Sequence, residues 1–244
     1  MIKIIIHITK FIIITITALL FASCNFNMNA IEGSGNVTTE KRTVDGEFKN
    51  ISVSNAIDLV IEQSDATEIT VEADDNLQKE IVTRVENGTL IIECKYSSFR
   101  NITSKTVTVK MPAVHKIEAS SASTVETNGT IQSEDITLDV SSAASMDVNI
   151  ESDRIAIDAG SGSSVDIIGK ALSLTTSASS GGSIDAEKLM ANEVHADASS
   201  GGTVSVRPIL SLKADASSGG NINYSGNPKT VEKSATSGGS VSKS

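Results

Sequence analysis

From residue 115 onward the chain repeats one pattern of apolar and polar positions. Four segments share a phrase: Ser177-Ala-Ser-Ser-Gly-Gly-Ser-Ile184, Asp197-Ala-Ser-Ser-Gly-Gly-Thr-Val204, Asp215-Ala-Ser-Ser-Gly-Gly-Asn-Ile222 and Ser234-Ala-Thr-Ser-Gly-Gly-Ser-Val241. Three looser copies precede them, at 118–125, 139–146 and 158–165. The last apolar residue of each copy defines a reference column: Val125, Met146, Val165, Ile184, Val204, Ile222 and Val241. The spacings are 21, 19, 19, 20, 18 and 19 residues, and a near-constant period is the mark of a repeat architecture.

Other columns keep step with that reference. Six places before it stand Ala119, Val140, Ala159, Ala178, Ala198, Ala216 and Ala235. Eight places before it stand Ile117, Leu138, Ile157, Thr176, Ala196, Ala214 and Lys233. Ten places before it the column opens on His115 and continues through Ile136, Ile155, Leu174, Val194, Leu212 and Val231. Apolar positions thus alternate with polar ones, the period-2 signature of a strand with one buried face. Each unit reads as a strand, a Ser/Gly bend, a second strand and a less regular return. Serine and glycine suit bends that need unusual torsions and little bulk. The expected fold is all-β: a parallel β-helix-like stack of about seven rungs of 18–21 residues, like columns ~4.8 Å apart. Lys233 and Lys243 fall on otherwise apolar columns in the last copy, as a polar end-cap would.

Residues 36–114 carry strand signals without the clear period. Ala56-Ile-Asp-Leu-Val-Ile-Glu62 and Glu68-Ile-Thr-Val-Glu72 alternate, and Asn87-Gly88 between two apolar runs signals a hairpin. The expected organisation is a signal segment over 1–23, a tether over 24–35, an N-terminal β portion over 36–114 that covers the first rung, and the repeat portion over 115–244.

The division at 23 rests on the N-terminus. Lys3 and Lys10 flank the start of a short apolar stretch from Phe11, and Leu20-Phe-Ala-Ser-Cys24 closes it. A positive start, an apolar core and small residues before a cut site read as a secretory signal. Residues 20–24 resemble the lipobox of bacterial lipoproteins, with Phe21 where Leu or Val is more usual. That resemblance implies that Cys24 becomes the acylated N-terminus and tethers the chain to a membrane, as an outer-membrane lipoprotein of the cell envelope. Only Glu32 is acidic in the tether, which leaves outward or periplasmic orientation open.

Charge narrows the function classes. The net charge is −10, and after residue 23 eighteen basic residues face thirty acidic ones. Such a body is repelled by nucleic acid, and aromatics, at 3%, are too few for base stacking. No nucleic-acid partner is expected.

The run Val44-Asp-Gly-Glu-Phe-Lys-Asn-Ile-Ser-Val-Ser54, with Ile57-Asp-Leu-Val-Ile-Glu-Gln63, Ala73-Asp-Asp-Asn-Leu77 and Glu86-Asn-Gly-Thr-Leu-Ile-Ile92 ahead of Ser/Gly-rich rungs, resembles one family. It is the head GIN domain family of putative auto-transporter adhesins, found in Bacteroidetes-type lipoproteins. The resemblance spans residues 40–240. It implies an all-β stacked domain with adhesin-like function and supplies no catalytic residues. The early rungs carry Ser-Ala where the family shows more glycine.

Two acidic columns are the candidate surface. Seven before the reference stand Glu118, Asp139, Asp158, Ser177, Asp197, Asp215 and Ser234; one after it stand Glu126, Asp147, Asp166, Asp185, Ser205, Asn223 and Ser242. Stacked carboxylates repel by roughly 1 kcal/mol per pair in water, and Ca²⁺ bridging would relieve that. The plainer account is a solvated face whose Asp oxygens also hold bend N–H groups. No Gly-x-Ser-x-Gly elbow occurs, and no His/Cys cluster suits zinc. His195, between Val194 and Ala196, is expected to point outward, and Cys94 to be a buried small residue. A glycan-cleaving β-helix enzyme would need a basic residue among carboxylates and aromatics for sugar stacking. Here the basic residues of the rungs are scattered and Tyr224 is the one rung aromatic. No column is consistently Thr, against an ice-binding surface. The expectation is a non-enzymatic, lipid-anchored adhesin or surface scaffold without cofactor, presenting a rigid Ser/Gly/Asp surface to a glycan or protein. The alternatives are a Ca²⁺-stabilised or glycan-binding module and, behind it, a polysaccharide-acting enzyme.

Overall fold

The computed structural model describes residues 30–244, with Lys10 ahead of them. Cys24 and the signal segment lie outside these residues. The N-terminal portion supplies β1 (Ala30–Glu32), β2 (Val37–Arg42), β3 (Asn50–Val53), β4 (Asp58–Gln63), β5 (Glu68–Asp74), β6 (Ile81–Glu86), β7 (Thr89–Cys94), β8 (Ser98–Arg100) and β9 (Lys105–Met111). The repeat portion supplies β10 (Lys116–Ala119), β11 (Thr124–Thr127), β12 (Ile131–Val140), β13 (Ser145–Ala159), β14 (Ser164–Ala178), β15 (Ser183–Ala198), β16 (Thr203–Ala216), β17 (Asn221–Tyr224), β18 (Thr230–Ala235) and β19 (Ser240–Lys243). Among residues 30–244 there is no helix.

The stack is a parallel β-solenoid. The whole reference column lies in register from Val125 to Val241, each residue opposite the next. Every member except Val241 is buried, as are the alanines and valine six places earlier up to Ala216. Aligned apolar columns are what hold a one-dimensional stack together, because each rung buries its inward face only on its neighbours. The return that reads as irregular in sequence is itself strand. β13, β14, β15 and β16 each run unbroken from one bend to the next, with register shifts between Asp166 and Ile168 and between Ala186 and Met190. At Gly169, φ is +130° and a Cβ would run into the carbonyl oxygen of Ile150, so the return needs glycine there.

The N-terminal portion does more than cover the first rung. β3 pairs in parallel with β10 (Ile51 opposite Ile117, Val53 opposite Ala119), and β4 with β11 (Leu59 opposite Val125). Asn55 and Ala56 take the same left-handed torsions as Ser121 and Ala122. Asn50–Gln63 is therefore a further rung of the repeat. β7 and β9 stack in parallel on its other side. Antiparallel pairs then close this end: β2 with β5, β5 with β9, and β6 with β7 around Asn87-Gly88.

The boundary at residue 35 also needs correction. β1 pairs in parallel with β8, so residues 30–32, expected in the tether, are part of the fold. Asp74, fully buried, accepts hydrogen bonds from the backbone N–H groups of Gly35 (2.6 Å), Thr103 (2.8 Å) and Ser104 (3.1 Å). Burial pushes its carboxyl up, but these donors together outweigh burial and hold it below the usual range. The opposite end is bare: all six residues of β18 are exposed, Val231 included, so Lys233 sits on an open edge.

Candidate functional surface

The bends form a ridge along one corner of the stack. Their carbonyl oxygens accept N–H bonds from the preceding rung: Ala122 to Ser142 (3.0 Å), Ala143 to Ser161 (3.1 Å), Gly162 to Ser180 (3.1 Å), Gly201 to Ser218 (3.3 Å) and Gly219 to Ser237 (3.2 Å). Beside it, the second glycine of each late bend meets the backbone two residues before the bend of the preceding rung. A Cβ on Gly202 would run into the carbonyl of Ala178, and one on Gly220 into that of Ala198. Earlier rungs hold Ser123, Ala144 and Ser163 at this position. Ser123 and Ser163 are buried and donate their hydroxyls to Ser120 O and Val140 O, both at 2.8 Å.

The two acidic columns flank this ridge in unbroken register. Glu118, Asp139 and Asp158 lie opposite one another in turn, then Ser177, Asp197, Asp215 and Ser234. On the other side run Glu126, Asp147, Asp166 and Asp185, then Ser205 and Asn223. Asp147, Asp166, Asp185 and Asp158 are exposed; Asp139, Asp197 and Asp215 are half-buried. Asp166, in the middle of its column, is pushed up first by burial and then by the charges of Asp185 and Asp147, with Lys188 pulling the other way. Two shallow grooves open along the first column. One is lined by Glu118, Ser120, Asp139, Ser141 and Asp158, the other by Asp197, Ser199, Asp215, Ser217 and Ser234.

Sequence reasoning missed two partners of these columns. Lys116 sends its ammonium between Glu118 (2.5 Å) and Asp139 (2.7 Å), and its own pKa rises to about 12 through Asp139 first and Glu118 second. His195 contacts Asp197 through Nε2 at 3.1 Å. Both sit two residues before an acidic position, and residues two apart on a strand share a face. That spacing was the available signal. The other histidine expectation fails: His115, assigned to an apolar column, is exposed, and Val114 fills the core instead. The chain enters β10 with its preceding residue displaced, because His115 N–H is tied to Lys49 O at 2.8 Å. Cys94 is a free, buried thiol, and burial pushes it up, away from nucleophilic use. Among the scattered basic residues, Arg154 pairs bidentately with Asp135, and Lys170 with Glu151 at 3.3 Å. A second surface feature is apolar. At the return, Leu172 (55% exposed), Met190 and Ile209 line a shallow groove.

This stacked, ridge-bearing architecture has known relatives. The model of the family described as "putative auto-transporter adhesin, head GIN domain" matches residues 47–228. The chain belongs to this family. A putative adhesin from Bacteroides fragilis superimposes with a TM-score of 0.80 at 20% identity, over 88% of this chain and all of that one. A putative adhesin from Parabacteroides distasonis gives 0.71 at 26% identity, and a putative lipid binding protein from the same species gives 0.71 at 22%; each covers 88% of this chain and 100% of its own. No curated protein matches the chain. These structural neighbours share the solenoid, and they are described as adhesins or a lipid binding protein.

Proposed function

We propose that this GIN-domain protein is a lipid-anchored, non-catalytic binding module of the outer membrane. Its working face is the Ser/Gly ridge with its two carboxylate columns. The observation that carries this reading is the in-register ladder of acidic and hydroxyl side chains along continuously paired parallel strands. A rigid, pre-formed row of acceptors and hydroxyls suits a repetitive polar partner, a glycan or a cationic protein segment, since little ordering entropy is spent on binding. Family membership supports the adhesin-like reading, and the resemblance of residues 20–24 to a lipobox supports anchoring at Cys24. The tether of residues 24–29 would then meet the capped end, where β1 is docked, leaving the repeat rungs to extend beyond it.

Protease shaving of intact cells, with immunodetection of the protein, tests the surface placement. Loss of the protein from intact cells is expected; protection until lysis would place it in the periplasm and remove the adhesin reading. Cys24→Ala is expected to release the protein into the soluble fraction, and unchanged membrane association would end the anchoring claim.

A second reading is a Ca²⁺-stabilised module. The exposed Asp147–Asp166–Asp185 run, with the middle carboxyl pushed up, favours it. A melting temperature raised by millimolar Ca²⁺ and lowered by EGTA would support it; an unchanged one would remove it.

A further inference from the structure

The repeat places one constellation of positions twice, and the two copies differ in chemistry. In the first repeat, Lys116 and Glu118 lie two apart on β10, and Asp139 lies opposite Glu118 on the next rung. In the fifth, His195 and Asp197 lie two apart on β15, and Asp215 lies opposite Asp197 on β16. The first copy shows what the geometry does. Two stacked carboxylates draw a cation between them, and the Lys116 ammonium fills that place at 2.5 and 2.7 Å.

The fifth copy has the same carboxylate pair without that ammonium. Lys213, opposite His195 in register, reaches Asp215 only at 3.9 Å. Where the lysine would stand is an imidazole. Its Nε2 faces Asp197, and its Nδ1 is shielded from solvent without a hydrogen-bond partner, so Asp197 is the one close polar contact found for the ring among the described residues. One donor atom from each of His195, Asp197 and Asp215 falls within 4.8 Å of the others. A neutral imidazole offers a lone pair to a metal, which an ammonium cannot.

We propose that His195, Asp197 and Asp215 form a site for a zinc-class divalent cation. One nitrogen and two carboxylate oxygens would bind it, and water would complete the shell. Three protein ligands with an open position is an ordinary zinc arrangement, and a nitrogen ligand favours zinc or a neighbouring transition metal over Ca²⁺, which takes oxygen alone. Positions two apart on one strand plus the in-register position on the next put three side chains on one face. The ion would replace the internal cation of the first repeat and bridge β15 to β16. This inference stands apart from the adhesin reading, because it holds or fails whatever the partner is.

The test is titration of Zn²⁺ into the purified, untagged protein, with calorimetry for stoichiometry and long-range ¹H–¹⁵N spectra for the imidazoles. One equivalent is expected to bind and to shift the ring nitrogens of His195 while leaving those of His115 in place. His195→Ala and Asp215→Asn, checked by circular dichroism for an intact fold, are each expected to weaken binding at least about tenfold. His115→Ala should leave it unchanged, and Lys213→Ala should strengthen it by removing a competing charge. Saturation absent into the millimolar range would overturn the proposal. Binding indifferent to His195→Ala, or matched by Ca²⁺ at equal concentration, would overturn it too and leave only a diffuse acidic surface.

Discussion

The two ends of the solenoid are built on different principles. The capped end packs large side chains, among them Ile57, Leu59, Ile61, Leu77 and Met111, and pins its loops with buried polar groups. Asp74 holds three backbone N–H groups there, and Gln78 donates to Thr38 O and accepts from Arg42. The repeat end has almost no such pins. It relies on Ala and Gly columns that let successive backbones approach, and its last rung faces solvent. A cap forms once and needs specific side-chain partners. A repeated rung needs only to match its neighbour, so register replaces specificity.

The sharpest way to break this contrast is at Asp74. Asp74→Ala leaves three N–H donors without their carboxylate in a closed site, at a cost of roughly 3 kcal/mol. With about 2–4 °C lost per kcal/mol in a domain of this size, the melting temperature should drop by about 10 °C. The carboxyl is depressed in the folded state, so its contribution is present above the ordinary value of 3.8 and is lost as pH falls through the depressed one. Thermal melts of both proteins at pH 7 and in acid should therefore converge at low pH. A variant as stable as the parent at pH 7 would mean that the cap is not pinned there.

On the repeat side the matching experiment is Gly202→Ala. The added methyl meets the Ala178 carbonyl, a backbone atom that cannot swing aside, and overpacking of this kind costs about 1–3 kcal/mol. The same substitution at Gly201, where a Cβ meets open space, should cost less, limited to its left-handed torsion of +76°. Chemical denaturation of the two variants side by side reads the difference. Equal losses would show that torsion, not close approach, makes the corner glycine-rich.

What the sequence made legible follows the same division. The repeat could be read because each rung restates the last: Val165, Ile184 and Val204 are interpretable only as a column. The Asn50–Gln63 rung escaped because 66 residues separate Leu59 from Val125 and because Asn55-Ala56 replaces the Ser/Gly phrase. Its columns were nonetheless present, with Val53 six and Ile51 eight places before Leu59. Asp74 and Gln78 carried no local signal at all. Apart from Val71 O, which Gln78 also reaches, their partners lie 29 to 40 residues away, and a buried carboxylate looks in sequence like any surface acid. On the candidate surface the acidic columns were legible as a period, while Lys116 and His195 beside two of the pairs were not. Lys116 and His195 occupy a column that also holds Thr137, Ala156, Thr175, Lys213 and Glu232, with no consistent charge to mark it.

The ladder itself yields a smaller effect. Lys116→Met removes the ammonium between Glu118 and Asp139. The group is partly exposed, so solvent screening keeps the expected loss below ~1 kcal/mol. The lysine is raised in the folded state to about 12 from 10.5. Its contribution is therefore full below about pH 10.5 and disappears as pH rises through 12. Melting curves of parent and variant should differ by a constant amount between pH 6 and 10, narrow above that, and differ less in 1 M salt, where charges are screened within about 3 Å. A difference insensitive to both pH and salt would assign the lysine's role to packing of its stem.

The smallest expected change has the opposite sign. Asp166 stands between Asp147 and Asp185, and its carboxyl is raised by burial and by those two charges. A raised acid is ionised more readily in the unfolded chain, so folding loses stability as pH climbs from the ordinary 3.8 through the raised value. Asp166→Asn keeps the shape and removes the charge. It should raise the melting temperature by about a degree at pH 7 and leave it unchanged at pH 3, where the carboxyl is protonated in both states. If the variant is instead less stable at pH 7, the carboxylate is making a contact that asparagine cannot, such as a bridging cation. The ladder would then be a cation-binding edge along its second column, and the contrast between a pinned cap and an unpinned repeat would have to give way.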